Sequence, residues 1–465
     1  MENKKELTVQ DIIEICQGEL VCGEEDVILN DFCQDTRLIK QGDVYVGIKG
    51  EHHNGNDMYE IALANGAKVC ILQEVDVPEY VKEKYYDRSI VIVKNTIYAL
   101  QELAKYKRSM YDIPVVAITG SVGKTSTKDI VASVMAKKFN VLKTEGNYNS
   151  QLGTALTVLM LKDHNAMVVE LGMSNLGEIS RLTDIVKPTV AVITNIGTAH
   201  IGILGSRENI LKAKLEILED LQSEGKVVIN NDNDMLNKWN LEKSDVYDVI
   251  TYGIENVSDI MAYNTDFSED GSDFDVDIED KTYNVHIGVG GNHFVSNSLC
   301  AIAVGRIFNI NMPDILDGIA HFELTKRRMQ VEKLENNVIV INDCYNANCD
   351  SMKAAIHYLS ELKDSKKVAV LGDMLELGEY SEKLHREVGE ELVKDKIDIV
   401  ITVGNEARYI ADEAIKGGNA KVYEYNNNQY AIEKVKEIIQ YGNVAILIKA
   451  SNGMKFQEIA NEICK

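Results

Sequence analysis

Proline is scarce in this chain: four in 465 residues, at positions 78, 114, 188 and 313, so long regular elements are permitted. Cysteine is little more frequent, eight in all, and no two are spaced as CxxC. That argues against a zinc site or a disulfide framework; free thiols in a reducing cytoplasm are expected. Cations are short as well, 49 Lys and Arg against 73 Asp and Glu, for a net charge of −24. A broad nucleic-acid surface would need clustered cations and is not expected, although a few local amides and cations could still hold an anionic nucleotide. There is no apolar run of about 18 residues, and the opening MENKKELTVQ has no apolar core. Neither a membrane span nor a signal peptide is expected, and the expected location is cytoplasmic. Short repeats and low-complexity tracts are also missing. What remains, 45% hydrophobic and 26% charged residues, is the composition of a globular protein, and the length suggests two or three domains.

Three stretches follow one another. Residues 1–112 hold short apolar strands (GDVYVGI, KVCIL, SIVIV) alternating with helical segments, the last helix spanning 95–109 before a YDIP connector. From Val115 the order is strand, helix, strand, helix: VVAIT, a helix over 124–138, VVEL and VAVITNI. Continuous apolar strands between helices indicate a parallel sheet covered on both faces. Residues 258–290 alternate polar and apolar around SEDGSD and IEDKT, which predicts antiparallel hairpins at the edge of that sheet. Beyond about 325, VIVIND, KVAVLG, DIVITVG and NVAILIK form a second doubly wound series, with helices starting near Asp350, Ser381, Glu406 and Asn428. The expected fold class is therefore α/β with three domains. These are a small α/β N-terminal domain (1–112), a central P-loop parallel-sheet domain with an antiparallel edge (113–325) and a Rossmann-like C-terminal domain (326–465).

The segment VVAITGSVGKTSTKDI, 115–130, runs from a strand through a glycine turn into a helix. The strict spacing G-x-x-x-x-G-K-[ST] fails, because Ile118 stands where the first glycine belongs. The physics survives the shortening. Gly120 and Gly123 let the backbone turn its N–H groups toward phosphate oxygens, Lys124 adds a point charge, and the Thr125 hydroxyl suits a magnesium ion. The helix that follows contributes its positive end. Further polar residues stand at strand ends: Glu170 closes MVVE, and His200 follows VAVITNI in GTAH. Either could serve a second magnesium. RENILKAKLEILEDL, 207–221, reads as an amphipathic helix in which spacing alone assigns no role to Lys212 or Lys214.

The loop ITGSVGKTSTK, the segment TEGNYNSQLGT, ELG at 170–172 and NIGTAHIGILGSRENILKAKLEI together resemble the ATP-dependent Mur ligases. INDCYNANCDSMKAA and VLGDMLELGEYSEKLH narrow the resemblance to the branch that joins D-alanyl-D-alanine to UDP-N-acetylmuramoyl-tripeptide. The resemblance spans all three stretches and implies an ADP-forming amide ligase of peptidoglycan precursor synthesis, working through an acyl phosphate. It places ATP phosphates on Gly120, Ser121, Val122, Gly123, Lys124, Thr125 and Ser126, and Mg2+ on Thr125, Glu170, His200 and Lys214. Lys214 matches the family lysine that becomes carbamylated. His293 and Asn297 match residues near adenine and ribose, and Arg328, Asp343, Tyr345 and Asn346 match positions bordering the nucleotide. Asp35, Thr36 and Arg37 would hold the uridine-diphosphate end, Asn147 and Asn149 would touch substrate and phosphate, and Lys449 and Ser451 would face the dipeptide. Lys124, Lys214 and His200 would be the catalytic set, in a monomer.

Several positions depart from the family pattern: Arg327 for a glycine, Cys349 for a proline, Asn452 for an arginine, Phe294 and Ser150 for asparagines and Gly202 for a glutamate. They leave open a paralogue using a dipeptide that ends in D-Ser or D-lactate. Also open are another ligase of the superfamily, adding glutamate to a folate or a diamino acid to a shorter muropeptide, and a nucleotide-dependent switch without amide product.

Overall fold

The computed structural model describes residues 6–50, 52–243 and 246–465, whose strands collect into three sheets in chain order. The first sheet contains β1 (Glu19–Cys22), β2 (Phe32–Cys33), β3 (Val44–Val46), β4 (Val69–Leu72) and β5 (Ser89–Ile92), in the order β1-β5-β4-β3-β2. All neighbours are parallel except β1, which runs against β5. The three predicted strands are its buried centre. The edges β1 and β2 are too short and too exposed to leave a pattern in the sequence.

The second sheet has nine strands. These are β6 (Val115–Thr119), β7 (Val141–Lys143), β8 (Ala166–Glu170), β9 (Val190–Ile193), β10 (Lys226–Asn230), β11 (Asp248–Gly253), β12 (Ile260–Ser268), β13 (Gly271–Ile278) and β14 (Lys281–Ile287). Their order is β14-β13-β12-β11-β10-β9-β6-β8-β7, parallel from β7 to β12 and antiparallel only in the β12–β14 meander, as the alternation in 258–290 predicts. β6 is fully buried between β8 and β9, and the strand order turns back on itself there. The loop after β6 thus opens at the switch point of the sheet, where a crevice forms.

The third sheet joins β15 (Gln330–Leu334), β16 (Val338–Asn342), β17 (Lys366–Gly372), β18 (Ile399–Val403), β19 (Lys421–Tyr425) and β20 (Val444–Lys449) in the order β15-β16-β20-β17-β18-β19. Only β15 is antiparallel. β15 and β19 are the two edges, half exposed, and escape the sequence reading for the same reason as β1 and β2. The helices predicted near Asp350, Ser381 and Asn428 start at Cys349, Ser381 and Asn428. The one predicted near Glu406 starts at Arg408, because the Asp373 carboxylate takes the N–H groups of Asn405, Glu406 and Ala407. The helix predicted over 207–221 ends at Leu215 and tightens into a 3₁₀ turn, Glu216–Leu218. There the Glu216 carboxylate accepts from the Gly177 and Ser180 amides.

The units are tied together. Helix Thr96–Ser109 lays Arg108 against the central unit, its Nε donating to Val186 O at 2.8 Å, and Lys105 pairs with Asp184 at 2.7 Å. On the other side, Asp350 Oδ2 accepts from the Thr198 amide (3.0 Å) and hydroxyl (3.2 Å), and the Tyr380 hydroxyl donates to Gly205 O at 2.6 Å. Tyr358 fills the space over Gly290, where any Cβ would overlap its ring. Among the described residues no helix is long and apolar enough to cross a membrane.

Candidate functional site

The turn after β6 is shaped by two glycines in the left-handed half of conformational space, Gly120 at φ 153° and Gly123 at φ 84°. A Cβ on Gly120 would overlap Thr194 Oγ1, so the close approach of the β6 and β9 ends requires glycine there. The loop is pinned from the end of β9: the Ser121 amide donates to Asn195 O (3.0 Å), the Val122 amide to Asn195 Oδ1 (2.8 Å), and Thr194 Oγ1 to Val122 O. Gly123 then caps helix Lys124–Met135 without a side-chain acceptor. The amides of Ser121 and Val122 are already satisfied, so the free donors are those of the first helical turn, where the positive end of the dipole lies.

Lys124 Nζ donates back to Gly120 O at 2.7 Å. Burial pushes its ammonium below the usual lysine range; Arg328 adds to this and Glu170 opposes it. Thr125 Oγ1 donates to Glu170 Oε2 at 2.8 Å and accepts from an Arg328 Nη at 2.9 Å. The other Glu170 oxygen accepts from Asn149 Nδ2 at 2.7 Å. The central sheet, the loop after β7 and the third unit therefore meet on one hydroxyl and one carboxylate.

Around them lies a cavity of about 660 Å³. It collects almost every residue singled out in the sequence: Ser121 to Ser126, Asn147, Asn149, Glu170, His200, Lys214, His293, Asn297, Arg328, Asp343, Tyr345, Asn346 and Lys449. Gly120 lies behind it as the acceptor for Lys124. Ser451 is not in its wall but lines an adjoining cavity of about 740 Å³. Asp35, Thr36 and Arg37 line neither; they form a surface turn after β2 in which the Asp35 carboxylate accepts from the Arg37 amide and guanidinium and is held down at about 2.

Lys214, on helix Arg207–Leu215, is 2% exposed, and its amine has no hydrogen bond or ion pair among the described residues. Burial, with the nearby Lys124 charge, holds its amine well below the ordinary lysine value. His200 adopts φ 62° at the start of a short helix, its Nδ1 3.0 Å from a Glu376 oxygen; burial and the Lys124 charge lower it while Glu376 opposes them. At the start of helix Asn292–Ile307, burial lowers His293 to about 4. Asn297 Oδ1 accepts from Thr127, but its Nδ2 is buried without a partner, as is Arg328 Nε. Unsatisfied buried donors beside a cavity mark places where a ligand acceptor belongs. In the third unit, the Lys449 ammonium bonds Asp343 Oδ2 (2.5 Å) and Asn346 O (3.0 Å), and the Arg328 guanidinium lies 4.2 Å over the Tyr345 ring.

Residues 118–305 match the Mur ligase middle domain, and residues 327–452 match the Mur ligase, glutamate ligase domain. The chain is 36% identical to the UDP-N-acetylmuramoyl-tripeptide--D-alanyl-D-alanine ligase of Bacillus subtilis over 461 residues, covering 98% of each. The chain belongs to the Mur ligase family. Among solved structures it is similar to MurF from Acinetobacter baumannii, with a TM-score of 0.89 and 27% identity over 99% of both chains. It is also similar to the MurF ligase from Thermotoga maritima in complex with ADP, with a TM-score of 0.82 and 27% identity over 95% of this chain and 99% of that one. This Mur ligase thus has the three-sheet α/β architecture of the family, and it is an ATP-dependent ligase.

Three neighbours of the site carry no mark in the sequence reading. Asn195, which pins the loop, and Glu376, which faces His200, follow β9 and β17, so the rule that ligands gather at strand C-termini could have flagged both. The sequence marks Asp350 only as a helix start, and nothing in its spacing announces a bond to Thr198.

Proposed function

We propose that this Mur ligase joins D-alanyl-D-alanine to UDP-N-acetylmuramoyl-tripeptide, using ATP and passing through an acyl phosphate. The observation that carries the reading is the meeting of Thr125, Glu170 and Arg328 on a glycine cradle, in a cavity that also holds the unpaired amine of Lys214. Such a site can neutralise a triphosphate and a carboxylate together. The terminal carboxylate oxygen of the tripeptide attacks the γ-phosphorus and ADP leaves. The dipeptide nitrogen then attacks the acyl phosphate carbonyl, phosphate leaves, and the nitrogen gives up its proton. Lys124, the free amides of the first helical turn and Arg328 stabilise charge on the transferring group, where positioning and electrostatics supply most of the rate. Asn297 Nδ2 and His293 are suited to the nucleoside end, and Asp343, Tyr345 and Asn346 to its border with the third unit.

The Thr125 hydroxyl and Glu170 carboxylate are hard oxygen donors 2.8 Å apart, a set that fits Mg2+. With only these two protein oxygens, the rest of the ion's shell would come from phosphates and water. Magnesium bound there would withdraw charge from the phosphates. Lys214 is suited to carbamylation, since a neutral amine is the form that adds to carbon dioxide; the carbamate would give a second cation an anionic oxygen, with His200 as its neighbour. In this reading residues 1–112 bind the UDP-sugar through Asp35, Thr36 and Arg37, residues 113–325 hold ATP, and residues 326–465 close over it and receive the dipeptide. The enzyme works as a cytoplasmic monomer.

Incubation with UDP-N-acetylmuramoyl-tripeptide, ATP and a panel of D,D-dipeptides, followed by mass spectrometry, tests the reading. The pentapeptide product with one ADP per amide is expected. Phosphate release with folate and glutamate alone, or nucleotide turnover without any amide, would overturn it.

A further inference from the structure

The 740 Å³ cavity beside the phosphate site has chemistry of its own. Among the residues it shares with the first cavity are Ser121, Lys124, Asn147, His200 and Tyr345, so the two adjoin beside the phosphate loop. Its far wall, from the third unit, includes Lys326, Arg327, Leu375, Ser451 and Asn452, and the Glu376 carboxylate, which is turned to His200 at 3.0 Å. Arg327 stands out on three counts. Its guanidinium has no carboxylate partner among the described residues; its side-chain contacts are the Tyr345 ring, 5.5 Å away, and Asn452 Oδ1 at 3.5 Å. Its backbone is in the left-handed region, φ 65°, which a long side chain rarely adopts. And that conformation is held from both sides, the Arg327 amide donating to Gln330 Oε1 at 2.6 Å and its carbonyl accepting from the Tyr345 amide at 3.1 Å. A guanidinium without a carboxylate partner, carried to a cavity wall by a backbone held on both sides, is suited to an anion.

We propose that Arg327 anchors the C-terminal carboxylate of the incoming dipeptide, with the peptide lying along this cavity and its amine at the border formed by Lys124 and His200. A planar guanidinium recognises a carboxylate through two parallel N–H donors, which Asn452 and Ser451 cannot do. The inference rests on the ligase reading above and adds to it the residue that selects a free acid.

The test compares kcat/KM for D-alanyl-D-alanine and for its C-terminal carboxamide in the parent enzyme, in Arg327→Ala, in Arg327→Lys, and in the double variant Arg327→Ala with Asn452→Arg. The parent should prefer the acid by about tenfold or more, since a site built for a charged group rejects the analogue lacking it. Arg327→Ala should raise the dipeptide KM by about tenfold, bring the acid-to-amide ratio near one, and leave the ATP KM close to the parent's. Arg327→Lys should keep part of the preference, and the double variant should recover much of it, because the side chains at 327 and 452 touch. A parent-like ratio in Arg327→Ala, or a KM rise confined to the UDP-linked substrate, would overturn the assignment while leaving the ligase reading intact. A parent that makes no amide from any D,D-dipeptide would remove both.

Discussion

Lys214 shows how burial and a neighbouring cation can prepare a residue for chemistry. Its amine sits 2% exposed in a wall that also carries the Lys124 charge, so the neutral form is favoured. Lys214→Ala is expected to lower kcat by about a hundredfold or more, the cost of losing a group that positions charge at the reaction centre. Formate or acetate should restore part of it, and parent enzyme in carbon-dioxide-depleted buffer should lose activity that bicarbonate returns. Full activity in that buffer would count against a carbamate. His293 gives a pH prediction. Its folded value near 4 lies below the ordinary 6.5, so between those values the unfolded chain takes up a proton that the folded one refuses. The stability is therefore complete above pH 6.5 and lost as pH falls toward 4. Relative to His293→Gln, the parent should lose up to about 2 kcal/mol between pH 7 and 5, less whatever solvent in the cavity screens. Urea midpoints at the two pH values measure it, and parallel losses would contradict the cause given. Neither residue's state was legible in the sequence, since spacing shows where a side chain sits on a helix but not what covers it.

At the scale of elements, the loop between β6 and helix Lys124–Met135 is the part the sequence announces best, through glycines whose φ values no other residue adopts cheaply. Gly120→Ala is expected to cost about 2–3 kcal/mol by overpacking against Thr194 and to abolish tight nucleotide binding. Calorimetric titration with ADP alongside a thermal melt checks both; a variant that binds normally would show that the β6 and β9 ends can separate. Of the strands that the sequence reading does not name, β1, β2, β7, β15 and β19 are edges, whereas β10 and β11 lie inside the central sheet. A short edge strand is exposed on one side and imitates a loop, while β10 and β11 have short apolar runs bounded or broken by polar residues and are only partly buried at one end or both.

Across the whole molecule, the site exists because the third unit is docked on the second. Asp350 holds the amide and hydroxyl of Thr198, and Arg328 reaches Thr125 from a segment more than two hundred residues away. Asp350→Ala should lower kcat/KM by about tenfold through misplacement of the third unit, with little change in the circular dichroism spectrum. Parent-like kinetics would show that other contacts suffice for docking.

The alternation of apolar strands with helices, the shortened cradle and the list of polar residues at strand ends were set by the chain itself, because β periodicity, glycine conformation and helix ends are local properties. Which of those residues share a wall was decided only by packing. Lys449 and Ser451 are two positions apart, yet one lines the phosphate cavity and the other its neighbour. Arg327 and Asn452 touch across 125 positions. Burial, pairing and the displaced protonation of Lys214 and His293 depend on what surrounds a side chain in three dimensions, and no local pattern carries that.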